Sequence, residues 1–491
     1  MLLILCVVCG CQRSADDPTA KLAAEELRWN GSPRGSNVIL IINDTMRRDR
    51  VGIYGGAART PAFNAFGEEN LLFDTAYTQS PWTKPSMVTL FTSLYPSHHG
   101  VLSHPILRQR DGSSKDGSLN LRMDVLSQQF HTLAEILRDN GFRTAAFMGN
   151  PWLKKEFGFS QGFELYDDSL ASWDVPGTVV SQSGLKWLEK VAPGERFFLY
   201  LHYMDSHRPY GRLKRSDLAD RREQLRADKR VLSQHARSEI AKNVWMDEGV
   251  SAAAMGISPS ITLVEMAYDR GIEEFDHALG LFLDGFKSHE MYEQTVIIVT
   301  SDHGEALFTR GWGNHGGGLY EDEVAIPLAA RLPGISSDSS PIKSPVGLVD
   351  LLPTLCTYLN VELPGDATLF GRNWLESSAS KGKLRDRHLV TEGVMYRPEN
   401  RAIRFHGYKA LWQPNPVGPA GKRGLFHIVE DAEEAHNLLT QRQGTKSAAK
   451  TYEDLIRGGV ESVAPFAAPQ VESVPLDPEV LERLRSLGYI K

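Results

Sequence analysis

The sequence predicts an α/β protein: a large mixed, mostly parallel sheet sandwiched by helices, followed by a smaller C-terminal α+β domain. Three observations lead there. Continuous apolar runs, rich in β-branched and aromatic residues, occur at NVILIIN (37–43), FFLYLHY (197–203) and TVIIVTS (295–301), the pattern of strands buried on both faces. Amphipathic helical segments precede strand runs, the alternation of crossover units. The chain's 491 residues, 41% hydrophobic and 23% charged, suffice for one large globular domain and an appendage.

The chain opens on MLLILCVVCGC, an apolar stretch too short to span a bilayer as a mature helix but of the length of a secretory leader's core. Three of the four cysteines lie there, and VCGC has the form of a bacterial lipoprotein processing site, which makes Cys11 the expected lipidated residue. A plain leader cleaved elsewhere is the alternative. We read 1–11 as leader and 12–35, rich in small and polar residues, as a tether. The expected location is therefore exported: periplasmic, or membrane-anchored through Cys11. After cleavage only Cys11 and Cys356 remain, so the chain is neither a disulfide scaffold nor a CxxC metal protein.

The first strand is expected at 37–43. Thr132 and Glu135 have capping-box spacing at the head of a helix that Asn140-Gly141 stops, and RTAAFM (143–148) reads as the next buried strand. The segment 212–243 is charged and helix-prone, with both signs interspersed, and reads as a solvated insertion. Ile272, Phe275, Leu279, Phe282 and Phe286 recur at helical spacing before the strand at 295. A boundary near Pro364–Arg372 divides a catalytic domain, 36–365, from a C-terminal subdomain, 366–491. The net charge of −7 offers no basic face for a nucleic-acid backbone, so nucleic acid is not an expected partner.

In sheets of this kind, ligands bind beyond the carboxyl ends of the strands. Asp44 and Thr45 follow the first strand, and Asp302 and His303 follow the strand at 295. One hard oxygen and one imidazole nitrogen, with Gly304 permitting a tight turn, suit a divalent cation. Between them in sequence lies WTKPS. Thr83 stands there either as a plain helix N-cap or as a nucleophile whose hydroxyl a cation activates, with helix N-terminal amides facing an anion.

Taken together, these segments resemble the sulfatase family of the alkaline phosphatase superfamily. NVILIINDTMRRDRVGIYGG is similar to the family's opening strand and metal loop, and TPAFNAF to its following helix. WTKPSMVTLFTSLYPSHHGV falls on the nucleophile motif, HYMDSHRPY on a histidine loop, and SDHGE with NHGGGLYEDEVAIPL on the second metal segment. GLVDLLPTL, LFHIVEDAEEAHNL and LRSLGYI complete the order. The resemblance implies an alkaline-phosphatase-like fold and places Asp44, Thr83, Asp302 and His303 on metal-ligand positions, with Thr83 also the nucleophile. It places His207 and His315 near the substrate's oxyanion or leaving group, and Lys84 and Asn150 where the substrate anion would be contacted. Thr45 stands where many members carry a second Asp.

The chain also departs from the pattern. Family members with sulfatase chemistry carry Cys or Ser in C/S-x-P-S-R, converted to formylglycine by a maturation enzyme; here Thr83 and Met87 occupy the first and last positions. The methyl group of Thr prevents formation of the aldehyde, so no formylglycine is expected. The family's sulfate-binding lysines have no counterpart at Asn150 or in NHGGGLYED. The expectation is thus a hydrolase of a sulfate- or phosphate-type ester, phosphoester favoured, acting on a small-molecule, glycan or lipid ester. It would use one divalent ion, Mn or Zn before Ca. Alternatives are a transferase moving a phospho-substituent onto envelope glycan or lipid, a binuclear site in which Asp205, His207 and His315 hold a second ion, and a non-catalytic binding protein on the same fold.

Overall fold

The computed structural model describes residues 27–28, 37–102, 122–337, 341–375, 387–395, 399–413, 423–441, 445–463 and 471–475. The leader, Cys11, nearly all of the tether and the terminal LRSLGYI lie outside them. Eight strands form the central sheet: β1 (Asn37–Asn43), β2 (Leu71–Tyr77), β3 (Arg143–Met148), β4 (Leu165–Asp167), β5 (Phe197–Tyr203), β6 (Thr295–Thr300), β7 (Ala325–Arg331) and β8 (Val346–Gly347). Their spatial order is β8-β2-β7-β6-β1-β5-β3-β4. β7 alone runs against the others, pairing antiparallel with β6 and β2. The remaining neighbours are parallel.

Every residue of β1, β5 and β6 is buried, as continuous apolar runs require. Alternation along β1 divides the core. Val38, Leu40 and Ile42 pack with α2 (Thr83–Thr92), α3 (Leu133–Asp139) and α6 (Leu351–Leu359), whereas Ile39 and Ile41 pack with α1 (Pro61–Glu69), α4 (Gly177–Leu188) and α5 (Ile261–Lys287). The five apolar residues spaced along α5 are at most 1% exposed, each contributing about 1.5–3 kcal/mol by burial. The capping box of α3 is formed: Glu135 N donates to Thr132 Oγ1 at 3.1 Å and Thr132 N to Glu135 Oε2 at 3.0 Å. The charged insertion folds into three short helices, Arg215–Asp220, Arg222–Ala227 and Gln234–Asn243.

The C-terminal part supplies a four-stranded antiparallel sheet, β9 (Leu389–Thr391), β10 (Arg401–Phe405), β11 (Tyr408–Trp412) and β12 (Arg423–His427). Helix α7 (Thr445–Ser462) covers it, with Tyr452 and Leu455 packed on Ile403, Ala410 and Leu425. The fold class is the one read from sequence.

Candidate active site

Because β5, β1 and β6 are adjacent and parallel, their carboxyl ends share one rim, with Asn43 opposite Tyr203 and Ile42 opposite Thr300. Asp44 follows β1, His202 is the penultimate residue of β5, and Asp302 and His303 follow β6. Thr45 turns the chain with φ 60°, its amide donating to Asp302 Oδ1 at 3.1 Å. The segment after β2 delivers Thr83 to the same rim as the first residue of α2; Trp82, not Thr83, is the N-cap.

The side chains converge. Thr83 Oγ1 donates to Asp44 Oδ2 at 3.4 Å and lies 3.2 Å from His303 Nε2. His303 Nε2 is 3.3 Å from Asp302 Oδ2 and 3.8 Å from Asp44 Oδ1, and His202 Nε2 is 3.2 Å from Asp44 Oδ2. Asn150 donates its amide to Asp44 Oδ2. All six are at most 1% exposed.

This arrangement fits a cation. Asp44 Oδ1, Asp302 Oδ2 and Thr45 Oγ1 are buried without a hydrogen-bond partner, a costly state unless an ion is received there. His303 Nδ1 donates to the Gly304 carbonyl at 2.8 Å, so its Nε2 turns a lone pair toward the two carboxylates, as a metal ligand does. Asp44, His202 and Asp302 have atoms within 4.8 Å of one another, the described group with ligand-compatible spacing. Burial works to raise the Asp44 carboxyl, yet the hydrogen bond from His202 helps hold it well below the usual range. Asp302 shifts upward, from burial and from Asp44 beside it.

On the outer side, the His315 ring lies 4.5 Å from that of His303 and 5.3 Å from that of His207. His207 hydrogen bonds through Nδ1 to the Arg208 carbonyl at 2.6 Å and packs on Trp173. His315 Nδ1 meets Glu305 Oε2 at 3.3 Å, a carboxylate orienting an imidazole. Burial depresses both imidazoles, His207 to about 3, and pushes Glu305 up to about 7.

Two expected residues stand elsewhere. Lys84 is fully buried, donating to the Asp124 carbonyl at 2.8 Å with its ammonium 3.6 Å from the centre of the Phe157 ring, so the substrate contact expected of it is withdrawn. Asp205 accepts from Gly177 N at 2.9 Å and is not in the ligand-spaced group. Three site residues escaped sequence reasoning. His202 was hidden in a run read only as strand, whereas Glu305 in SDHGE and Arg208 in SHRPY adjoined residues already singled out.

A mixed sheet bearing a buried carboxylate–imidazole cluster beside a hydroxyl at a helix N-terminus matches the alkaline-phosphatase-like class of ester hydrolases, and the Asp44, His202 and Asp302 group could hold a metal ion. The Sulfatase family model matches residues 36–361, and the chain belongs to the sulfatase family. It is similar to the steryl-sulfatase of Mus musculus, 24% identical over 84% of this chain and 77% of that protein. The arylsulfatase of Clostridium perfringens is 20% identical over 83% and 91%. Among solved structures, the phosphonate monoester hydrolase of Agrobacterium radiobacter superposes with a TM-score of 0.62 at 17% identity, covering 90% of this chain and all of that one. A protein in complex with its substrate D-glucosamine-2-N,6-O-disulfate superposes at 0.64 with 15% identity, covering 87% and 98%.

Proposed function

We propose that this sulfatase-family hydrolase cleaves a phosphate-type ester with Thr83 as its nucleophile. The observation that carries the reading is the Thr83 hydroxyl, buried at the first turn of α2 within 3.4 Å of Asp44 and His303. Asp44, Asp302 and His303 would hold the cation, with Thr83 and His202 beside it. Two imidazoles beside two carboxylates favour Mn or Zn over Ca, which prefers all-oxygen shells. When bound, the cation lowers the pKa of the Thr83 hydroxyl and offsets charge on an ester oxygen.

Thr83 Oγ passes its proton to Asp44 Oδ2, to which it already donates, and bonds to phosphorus as the bond to the leaving oxygen breaks, while His207 or His315 gives the departing alcohol its proton. Burial keeps both imidazoles neutral; an anionic ester brings the negative charge that favours their protonated form. Water then gives a proton to that imidazole as its oxygen bonds to phosphorus, the bond to Thr83 Oγ breaks, and the threonine recovers its proton from Asp44, releasing the phosphorus product. The N-terminus of α2, where Thr83 stands, would turn the positive end of the helix toward the anion. The Arg208 guanidinium, whose charge is felt by His207, Glu305 and His315, supplies positive charge where the family's lysines are missing. Asn150 acts through Asp44. Phosphorus is favoured because Thr83 cannot become formylglycine, and the fold serves a phosphorus ester in the Agrobacterium enzyme.

The test is a panel of aryl sulfate, phosphate monoester, phosphodiester and phosphonate substrates with Mn²⁺, Zn²⁺ and Ca²⁺, with and without an acceptor alcohol to separate hydrolysis from transfer. Phosphorus substrates are expected to turn over, and Thr83→Ala to lose at least about 10³-fold in rate while retaining metal. Exclusive aryl sulfatase activity, or full turnover by Thr83→Ala, overturns the reading. The leader reading adds export and anchoring through Cys11. The described residues hold no helix long and apolar enough to cross a membrane, and Cys11→Ser is expected to move the protein from the membrane to the soluble fraction.

A further inference from the structure

The loop that carries His315 is tied to the C-terminal sheet. The Gly316 carbonyl accepts from Met395 N at 2.9 Å. The Gly317 and Gly318 amides each donate to Glu323 Oε2 at 3.1 Å. Glu323 belongs to the short helical turn Glu321–Val324, and the Glu321 carboxylate at its head is gripped by two buried cations of the second sheet. Arg404 Nη2 of β10 lies 2.7 Å away and Lys409 Nζ of β11 2.8 Å.

The same sheet reaches the segment leading into Thr83. Arg404 Nη1 donates to Thr391 Oγ1 at 3.1 Å, and the Thr391 hydroxyl donates to the Thr78 carbonyl at 2.9 Å. Glu392 N donates to the Gln79 carbonyl at 2.9 Å. The Gly393 carbonyl accepts from Trp82 Nε1 at 2.8 Å and from Ser80 Oγ at 3.3 Å. One guanidinium thus serves both arms, and its face covers the Tyr77 ring at 4.3 Å, where the Thr83 segment begins.

We infer that Arg404 is a positioning residue: it holds the Thr83 segment and the His315 loop in a common register from behind the site. The inference rests on the roles of Thr83 and His315 proposed above. A planar fork addresses Glu321 and Thr391 at fixed angles; the single ammonium of a lysine keeps the charge but not that geometry. Small misplacements of reacting groups lower turnover steeply without weakening substrate binding to the same extent.

The test is a double-mutant cycle with the full-length, metal-loaded enzyme. Arg404→Lys and the near-isosteric Thr391→Val are each made alone and in combination with His315→Ala. Each single change is expected to lower kcat about tenfold with KM within about twofold and metal content unchanged, by misplacement. In the His315→Ala background the same change is expected to cost less than about threefold, since coupled residues are not additive. Equal losses in both backgrounds mean a structural contribution independent of the His315 loop and overturn the inference, as does wild-type kcat in the single variants. Should Arg404→Lys fail to fold, Thr391→Val carries the same cycle. Wild-type turnover by His315→Ala itself removes the role proposed for His315, and the inference with it.

Discussion

Asp44 collects more of the site than any other residue: Asn150 and Thr83 donate to it, His202 and His303 lie beside it, and one of its oxygens is left for an ion. Without an ion His202 Nε2 hydrogen bonds to that carboxylate; as a ligand it would exchange that bond for the ion while Nδ1 keeps Tyr200 Oη, so His202→Ala is expected to lower Mn²⁺ or Zn²⁺ affinity about 10–100-fold. Calorimetric titration of metal-free protein measures it, and unchanged affinity would remove His202 from the ligand set. At this scale Asp44, Thr83, Asp302 and His303 were legible because each lies just past a strand run or at a helix start. His202 was not, because a histidine inside FFLYLHY reads as one more interior residue until the strand's neighbours are known. The direction of Lys84 was illegible for a related reason. Adjacency to Thr83 puts a side chain on a different face of α2, and that face meets Phe157.

Among the elements, the loop after β5 depends on two small residues. A Cβ on Gly271 of α5 would come within 2.3 Å of the Asp205 carbonyl oxygen, and one on Gly211 within 2.5 Å of Gly271 N. The loop bearing His207 thus lies directly on the helix backbone. Gly271→Ala is expected to cost about 1–3 kcal/mol of stability, as overpacking does, and to lower turnover by displacing His207. Urea unfolding and steady-state rates check the pair of effects, and stability loss with intact kcat would separate the loop from the chemistry. The buried strands and the capped α3 were readable from pattern and cap. The reversed direction of β7 was not, since AIPLAAR reads the same either way and only its pairing with β6 and β2 reveals it.

For the whole molecule, several acids are folded into places that disfavour their charge. Burial pushes Asp205 up from 3.8 to about 7. Between those values the native state binds the proton that the unfolded chain has released, so this group's contribution to stability falls as pH rises through that window. Asp205→Asn, which keeps an acceptor for Gly177 N, is expected to gain on the wild type steadily from about pH 4 to about pH 7 and then level off. Urea midpoints across that range test it, and a constant difference would contradict it. The proposed boundary at 365–366 also acquires a physical meaning at this scale. Sequence pattern identified a C-terminal unit, but nothing local to residues 389–412 announces that they hold Thr78, Trp82 and Gly316, because the contacts span the chain. A chain ended at 365 is expected to lose both supports and turn over at least about 10²-fold more slowly, as misplaced catalytic groups do.

The proposed cation site is assembled from distant parts of the chain: Asp44 and His202 are 158 residues apart, and Thr45 and Asp302 257. No shorter stretch of polypeptide can prefigure it, so an unfolded chain carries the ligands but not the site. Ion capture at that site would therefore belong to the end of biogenesis. If the chain crosses a membrane unfolded, the metal supply of the destination compartment, rather than that of the compartment of synthesis, decides which ion is retained.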